Sequence, residues 1–287
     1  MTKALVLGGG GPVGISWETG LVAGLAEGGA EVHHADWILG TSAGSFVGSQ
    51  LARGRTPAEL LQGELAYAEM LKEAAAPAQA KAPDLSFLFS VMSRRPPGQE
   101  MPRELILELC EKALAAETVS EDVFMSGFGP AFEGEHPWPE RFACTTIDAR
   151  TGEFLLWSKD TAAPLRLAVA SSCSVPTLFP PITIDGRRYI DGGMRSGTNA
   201  DMAKNHEKVV IVAVVPPAMA AIMQPGLDRE TRIIREHGGE ALLITPDAGS
   251  GAAFGANLMD GSNREAIARA GFAQGQADAA RVAAFWN

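Results

Sequence analysis

Apolar positions along this chain follow two periods that alternate. Residues 4–7 form a short unbroken apolar run, of the kind buried on both faces in a parallel sheet. Gly8–Gly11 ends that run, and residues 15–26 then carry apolar side chains at helical spacing, closed by Gly28-Gly29. A second run, Trp37-Ile38-Leu39, passes into Gly40-Thr41-Ser42-Ala43-Gly44 and a small-residue helix reaching about Ala52. Strand, helix, strand, helix predicts an α/β fold with a parallel sheet.

From about residue 54 to 139 the pattern changes. Helical spacing covers residues 57–73 and 103–116, separated by Pro- and Ala-rich loops at 74–83 and 94–102, and no strand is predicted. We read this stretch as a helical insertion in the sheet domain. The α/β pattern resumes at residues 142–147 and 153–157, a predicted hairpin through Arg150-Thr151-Gly152. A helix at 164–171, a strand around 188–190, the apolar run 209–215 and a strand at 241–245 follow. An Ala-rich helix from about Asn263 to Phe285 completes the pattern. No internal repeat is visible. The expectation is a single domain over residues 1–287, a three-layer α/β/α fold with a central, mostly parallel sheet and a helical insertion at about 54–139.

Composition narrows the function. A content of 46% apolar and 20% charged residues is that of a soluble globular protein. The net charge of −10 argues against nucleic acid as a partner and against docking to anionic lipid through a basic patch. Cys110, Cys144 and Cys173 are widely spaced and form no C-x-x-C pair, so no zinc site is expected and a reducing compartment fits. No apolar run is long enough to span a bilayer, and the N-terminus lacks the pattern of a signal peptide. The expectation is a soluble, cytoplasmic protein.

Three local motifs carry candidate chemistry. In Gly40-x-Ser42-x-Gly44 the serine falls between strand and helix, where a sharp turn exposes its hydroxyl and the helix N-terminus favours developing negative charge. In Gly8-Gly9-Gly10-Gly11-Pro12-Val13-Gly14, two readings stand. Gly9-x-Gly11-x-x-Gly14 fits a dinucleotide fingerprint, but the acid that should close the second strand is instead Asp36, at its start. Alternatively, consecutive glycines expose N–H groups for an oxyanion, with Gly10 and Gly11 better placed than Pro12, which has none. Tyr189-Ile190-Asp191-Gly192-Gly193 holds a carboxylate at the end of a strand, and Asp-Gly-Gly is also ordinary turn chemistry. Of the five histidines, His33 and His34 precede the second strand and His136 sits among prolines. Only His206 and His237 follow the order of a Ser–Asp–His hydrolase, both at helix ends. Asp191 itself is the better candidate for a base.

The glycine loop, Gly40-x-Ser42-x-Gly44 and Asp191-Gly192-Gly193, in that order, resemble the patatin-like phospholipase family. The stretch Ala170-Ser171-Ser172-Cys173-Ser174-Val175-Pro176-Thr177-Leu178-Phe179-Pro180-Pro181 is similar to the family's A-S-x-x-x-P-x-x-F-P-P segment. The likeness is dense over residues 1–53 and 140–200. It implies the patatin-like version of the α/β fold and hydrolysis of lipid acyl esters by a Ser–Asp dyad, with no metal or organic cofactor. Carried over by position, Ser42 is the nucleophile, Asp191 the base, and Gly9, Gly10 and Gly11 the oxyanion hole, supported by Gly14, Gly40, Gly44, Gly192 and Gly193. Val13 stands where the family usually has Arg or Lys, which removes a cation from the loop. The implied partner is a lipid or other acyl ester, with transient contact at a membrane surface. Two alternatives remain: a nucleotide-binding protein using Gly9–Gly14, and a catalytically silent relative that binds lipid. The apolar stretch 85–92 of the insertion has two readings, a lid or membrane-contacting face, or packing against its own sheet.

Overall fold

A computed structural model describes residues 1–73, 84–128, 131–132, 137–161 and 163–287. The predicted loop 74–83 and His136 lie outside the described residues. The chain opens with β1 (Lys3–Leu7), α1 (Gly11–Glu27), β2 (Trp37–Gly40) and α2 (Ala43–Ala52). The insertion contains α3 (Pro57–Glu73), α4 (Ser86–Met92), α5 (Arg103–Ala115) and α6 (Glu121–Ser126). Then come β3 (Phe142–Asp148), β4 (Phe154–Trp157), α7 (Leu165–Ser172), β5 (Ile182–Ile184) and β6 (Arg187–Asp191). The last elements are β7 (Lys208–Val212), α8 (Ala220–Glu236), β8 (Glu240–Ile244), α9 (Ala248–Phe254) and α10 (Arg264–Trp286).

Among the described residues the eight strands form one sheet, in the order β5-β6-β3-β2-β1-β7-β8, with β4 paired to β3. The pairs β1–β2, β1–β7, β2–β3 and β7–β8 are parallel, and β3–β4, β3–β6 and β5–β6 are antiparallel. Alternation along the central strands feeds both faces. Leu5 and Leu7 of β1, with Val210 and Val212 of β7, join a core with Trp17 and Leu21 of α1, Val47 of α2 and Ile267 of α10. Ala4, Val6, Val209 and Ile211 face the other way, onto Ala200 and Ala203 of the turn before β7 and onto Ile234 of α8. Helices therefore flank the sheet on both sides, as the three-layer expectation requires. The tightest of these contacts is α1 on α10, where a Cβ at Gly20 would stand 2.0 Å from the Ala268 carbonyl oxygen and one at Gly271 2.4 Å from that of Trp17. Small residues on both helices let the backbones approach.

No strand appears in the described part of the insertion. Val91 of α4 and Leu105, Leu109 and Cys110 of α5 pack on Ile147 of β3 and Ile190 of β6. The stretch 85–92 is therefore split. Phe87, Leu88, Val91 and Met92 turn toward this core, while Phe89 is exposed.

The pairing of β3 fixes where the chemistry sits. Cys144 faces Gly40 of β2 on one edge and Trp157 of β4 on the other, while Thr146 faces Leu155 of β4 and Asp191 of β6. Since β4 occupies one edge throughout, β2 and β6 must share the other. β2 arrives parallel and ends at Gly40; β6 arrives antiparallel and ends at Asp191. The two strand ends thus point at each other across two residues of β3.

Candidate functional site

The sequence elements that leave these strand ends form the site. Ser42 follows β2 with φ 51° and ψ −116°, a left-handed strain that a tight elbow imposes on a non-glycine residue. The elbow closes this tightly because its flanks are glycine. A Cβ at Gly40 would stand 2.3 Å from Ser45 Cα, and one at Gly44 2.1 Å from the Leu7 carbonyl oxygen. Two neighbours hold the strained residue. The Ser42 N–H donates to Ser172 Oγ at 3.0 Å, and Cys173 Sγ donates to the Ser42 carbonyl at 3.2 Å. Both lie at the end of α7, within the Ala170–Pro181 stretch. Motif reading did not assign them individually.

Asp191 is 1% exposed and Ser42 7%. The Ser42 side chain lies close enough to the Asp191 carboxylate to act on its pKa, and the Gly193 N–H donates to Asp191 Oδ1 at 2.7 Å. Burial pushes the Asp191 carboxyl from 3.8 up to about 7, against the lowering effect of those two neighbours. The loop after Asp191 is pinned by Asn199, itself in a left-handed conformation, whose amide donates to the Gly192 and Ser196 carbonyls and to Thr41 Oγ1. Gly192 lies so close to β3 that a Cβ would meet Thr145 Oγ1 at 2.3 Å. The turn reading of Asp-Gly-Gly and the carboxylate reading thus describe the same residues.

The glycine loop arrives at the end of β1, beside the elbow. A Cβ on Gly9 would stand 3.3 Å from Ser42 Cβ. Gly8 N–H donates to the Val212 carbonyl and Gly9 N–H to the Gly197 carbonyl at 2.7 Å, so neither donor faces an incoming oxygen. Among the described residues no acceptor takes the Gly10 or Gly11 N–H. Gly14 belongs to the first turn of α1 and not to a loop: its N–H donates to the Gly10 carbonyl, and its missing side chain admits Ala43 Cβ at 3.0 Å. Beneath the loop lies the buried carboxyl of Glu18, whose pKa burial pushes well up.

The remaining candidates are elsewhere. His33 and His34 precede β2, His206 precedes β7 and His237 precedes β8, all at the opposite end of the parallel strands from Ser42. His206 stacks on Trp37 at 5.1 Å, and His237 Nδ1 meets the Ile233 carbonyl at the end of α8. Asp36 accepts the Lys3 N–H at 2.7 Å and ties β1 to β2. Among the described residues no cluster of His, Cys, Asp or Glu has the arrangement of a metal site.

A cleft of about 650 Å³ adjoins the glycine loop. Pro12 and Met259 border it on the loop side, Thr177–Phe179 beyond the elbow contacts, and Asp84, Phe87 and Lys112 on the insertion. Ser42 and Asp191 do not line it themselves.

A strained serine on a strand-to-helix elbow thus stands beside a buried carboxylate and, among the described residues, two glycine N–H groups that no acceptor takes, within one mixed sheet. The sequence model of the family described as patatin-like phospholipase matches residues 5–204, and the chain belongs to that family. Among solved structures, it is similar to VipD from Legionella pneumophila (TM-score 0.47, 15% identity), covering 96% of this chain and 66% of that one. It is also similar to the type III effector protein ExoU (TM-score 0.43, 13% identity), covering 98% of this chain and 53% of that one. The chain therefore spans between half and two thirds of the lengths of these two structures. No curated protein matches.

Proposed function

We propose that the protein is a serine acyl hydrolase that cleaves carboxylic esters of phospholipids or related acyl lipids, with Ser42 as nucleophile and Asp191 as base. Family membership supports a lipid acyl hydrolase in general. The observation that carries the finer reading is the Ser42 side chain beside a fully buried carboxylate that burial pushes up to about 7. Such a carboxylate is ionised in a useful fraction at neutral pH, yet basic enough to take a proton.

Ser42 Oγ attacks the ester carbonyl carbon as its proton passes to Asp191. The carbonyl oxygen becomes an oxyanion held by the Gly10 and Gly11 N–H groups at the N-terminus of α1. Collapse breaks the bond to the alcohol oxygen, which leaves with the proton from Asp191. Water then gives its proton to Asp191 and attacks the acyl-serine, and the fatty acid is released as the proton returns to Ser42. Each residue in this scheme needs only its own side chain or N–H. Residues 1–287 act in it as one domain, with the insertion beside the site. Exposed Phe89, Leu114 and Val123 give the insertion apolar contacts for a lipid surface, and no helix among the described residues is long and apolar enough to cross a membrane.

The test is hydrolysis of p-nitrophenyl butyrate and of a short-chain phosphatidylcholine by wild type and Ser42→Ala. Loss of both activities by at least a thousandfold, with unchanged thermal unfolding, is expected. Retained hydrolysis in the variant overturns the proposal.

A further inference from the structure

One short segment, residues 196–200, touches the glycine loop, the serine elbow and the aspartate loop together. The Gly197 carbonyl accepts the Gly9 N–H at 2.7 Å, and a Cβ on Gly8 would stand 3.3 Å from Thr198 Cγ2. Asn199 has φ 51° and ψ 32°. Its side-chain amide reaches Thr41 Oγ1 at 3.1 Å, next to Ser42 in the chain, and the Gly192 carbonyl at 3.2 Å, next to Asp191. The same amide donates to the Ser196 carbonyl at 2.7 Å and folds the segment back on itself. The spacing of the three motifs therefore depends on the conformation of these few residues.

A side chain far along the sequence holds that conformation. Glu230 of α8 is 1% exposed, and its Oε2 accepts the Ala200 N–H at 3.0 Å and the Thr198 hydroxyl. One carboxylate oxygen thus grips the residues on either side of Asn199. On Asn199 itself, Arg195 Nη1 donates to Oδ1 at 2.9 Å and also to Asp201 Oδ1 at 3.0 Å. Thr198, Asn199 and Ala200 are buried, so a donor that loses its acceptor here has no water to turn to. A left-handed backbone at a residue other than glycine persists only where its surroundings over-determine it. Glu230 supplies that constraint, and the acyl-transfer steps do not otherwise use it.

We propose that Glu230 is a positioning residue for this site. By gripping Thr198 and Ala200 it sets Gly197 and Asn199, and through them the placement of the glycine N–H groups and the Asp191 loop relative to Ser42. This role rests on the acyl-hydrolase reading, and the experiment separates the two.

Glu230→Leu removes the acceptor at similar volume, whereas Glu230→Gln keeps one carbonyl oxygen for both donors. On p-nitrophenyl butyrate, kcat in Glu230→Leu falls about thirtyfold to a hundredfold with KM nearly unchanged, as expected of misplaced reacting groups. Glu230→Gln restores kcat to within about threefold of wild type. Thr198→Val, which keeps the methyl beside Gly8 and loses the hydroxyl, lowers kcat about threefold to tenfold. Added to Glu230→Leu it lowers kcat by no more than about twofold further, since the contact is already gone. Hydrogen exchange followed by mass spectrometry needs no turnover: in Glu230→Leu, peptides containing Gly9 and Ala200 exchange at least about tenfold faster, with α10 unchanged. A kcat in Glu230→Leu within about threefold of wild type overturns the role, as do equal losses in the Leu and Gln variants. Losses that multiply fully in the double variant overturn it too. If Glu230→Leu does not fold, Thr198→Val carries the test, and a kcat equal to wild type overturns the role. Wild type that hydrolyses no ester strikes the acyl-hydrolase reading. Active wild type with unchanged exchange in Glu230→Leu strikes the role of Glu230 alone.

Discussion

Replacing Asp191 by asparagine should stabilise the fold, and do so only as the pH rises. The folded chain holds the Asp191 proton until about pH 7, whereas an unfolded aspartate ionises near 3.8. Between those values the folded state binds more protons than the unfolded state, so this group lowers stability as pH increases. At about 1.36 kcal/mol for each pH unit of separation, the penalty is roughly 4 kcal/mol well above pH 7 and absent below about pH 3. Worked through the two titrations, it is about 1.5 kcal/mol at pH 5 and about 4 kcal/mol at pH 8. The Asp191→Asn side chain has the same shape and does not ionise, so the variant escapes the penalty. The other titrating groups are common to both proteins and cancel in the difference. Urea unfolding of the two proteins at pH 5 and pH 8 reads this directly. The stability gap should move in favour of the variant by about 2.5 kcal/mol between the two pH values. A gap that stays constant within about 0.5 kcal/mol would refute the buried, charge-disfavouring environment on which the base assignment depends.

The same carboxylate sets the pH dependence of turnover: kcat/KM for a soluble ester should fall tenfold per pH unit below about 7, and a flat profile from pH 5 to 8 would contradict Asp191 as base. Gly10→Ala places a Cβ 2.6 Å from Val214 Cγ1 and displaces the donor loop, so kcat should drop about a hundredfold with a smaller change in KM, checked by steady-state kinetics. Ser172→Ala removes the acceptor of the Ser42 N–H and loosens the elbow; kcat about tenfold lower is expected, with an unfolding temperature only a few degrees down. Gly44→Ala would drive a Cβ to 2.1 Å from the Leu7 carbonyl, and loss of soluble folded protein, followed by circular dichroism, is the expected outcome.

Those predictions rest on features that were unequally legible in the sequence. Long periodic segments and glycine-bounded motifs were readable because their physics is local. β1, β2, α1, α3, α5 and α10 follow their apolar spacing, and the elbow at Ser42 follows its two glycines. β5 was missed, since three residues of strand between Pro181 and the Asp185-Gly186 turn carry almost no period. α8 was legible only at its end, by His237, because Pro225 and Gly226 interrupt a mostly polar stretch whose burial comes from the sheet and the turn at Ala200–Ala203 that it covers. The meeting of β2 and β6 on one edge of β3 is a property of pairing, and nothing near Ser42 or Asp191 in sequence announces it. The glycine run showed its chemistry but not its division of labour. Which N–H groups remain unpaired depends on the Gly197 carbonyl, which folds back from nearly 190 residues away. Ser172 and Cys173 likewise gain their meaning from contact with Ser42, although a run of small polar residues after α7 was the signal available.

The most direct test of the account is covalent labelling with a fluorophosphonate probe, followed by mass spectrometric mapping of the modified peptide. One adduct per chain on Ser42 is expected, absent in Ser42→Ala and forming at least tenfold more slowly in Asp191→Asn at pH 8. An adduct on another residue, or labelling of Ser42 at an unchanged rate in the Asp191 variant, would contradict a Ser42 nucleophile activated by Asp191.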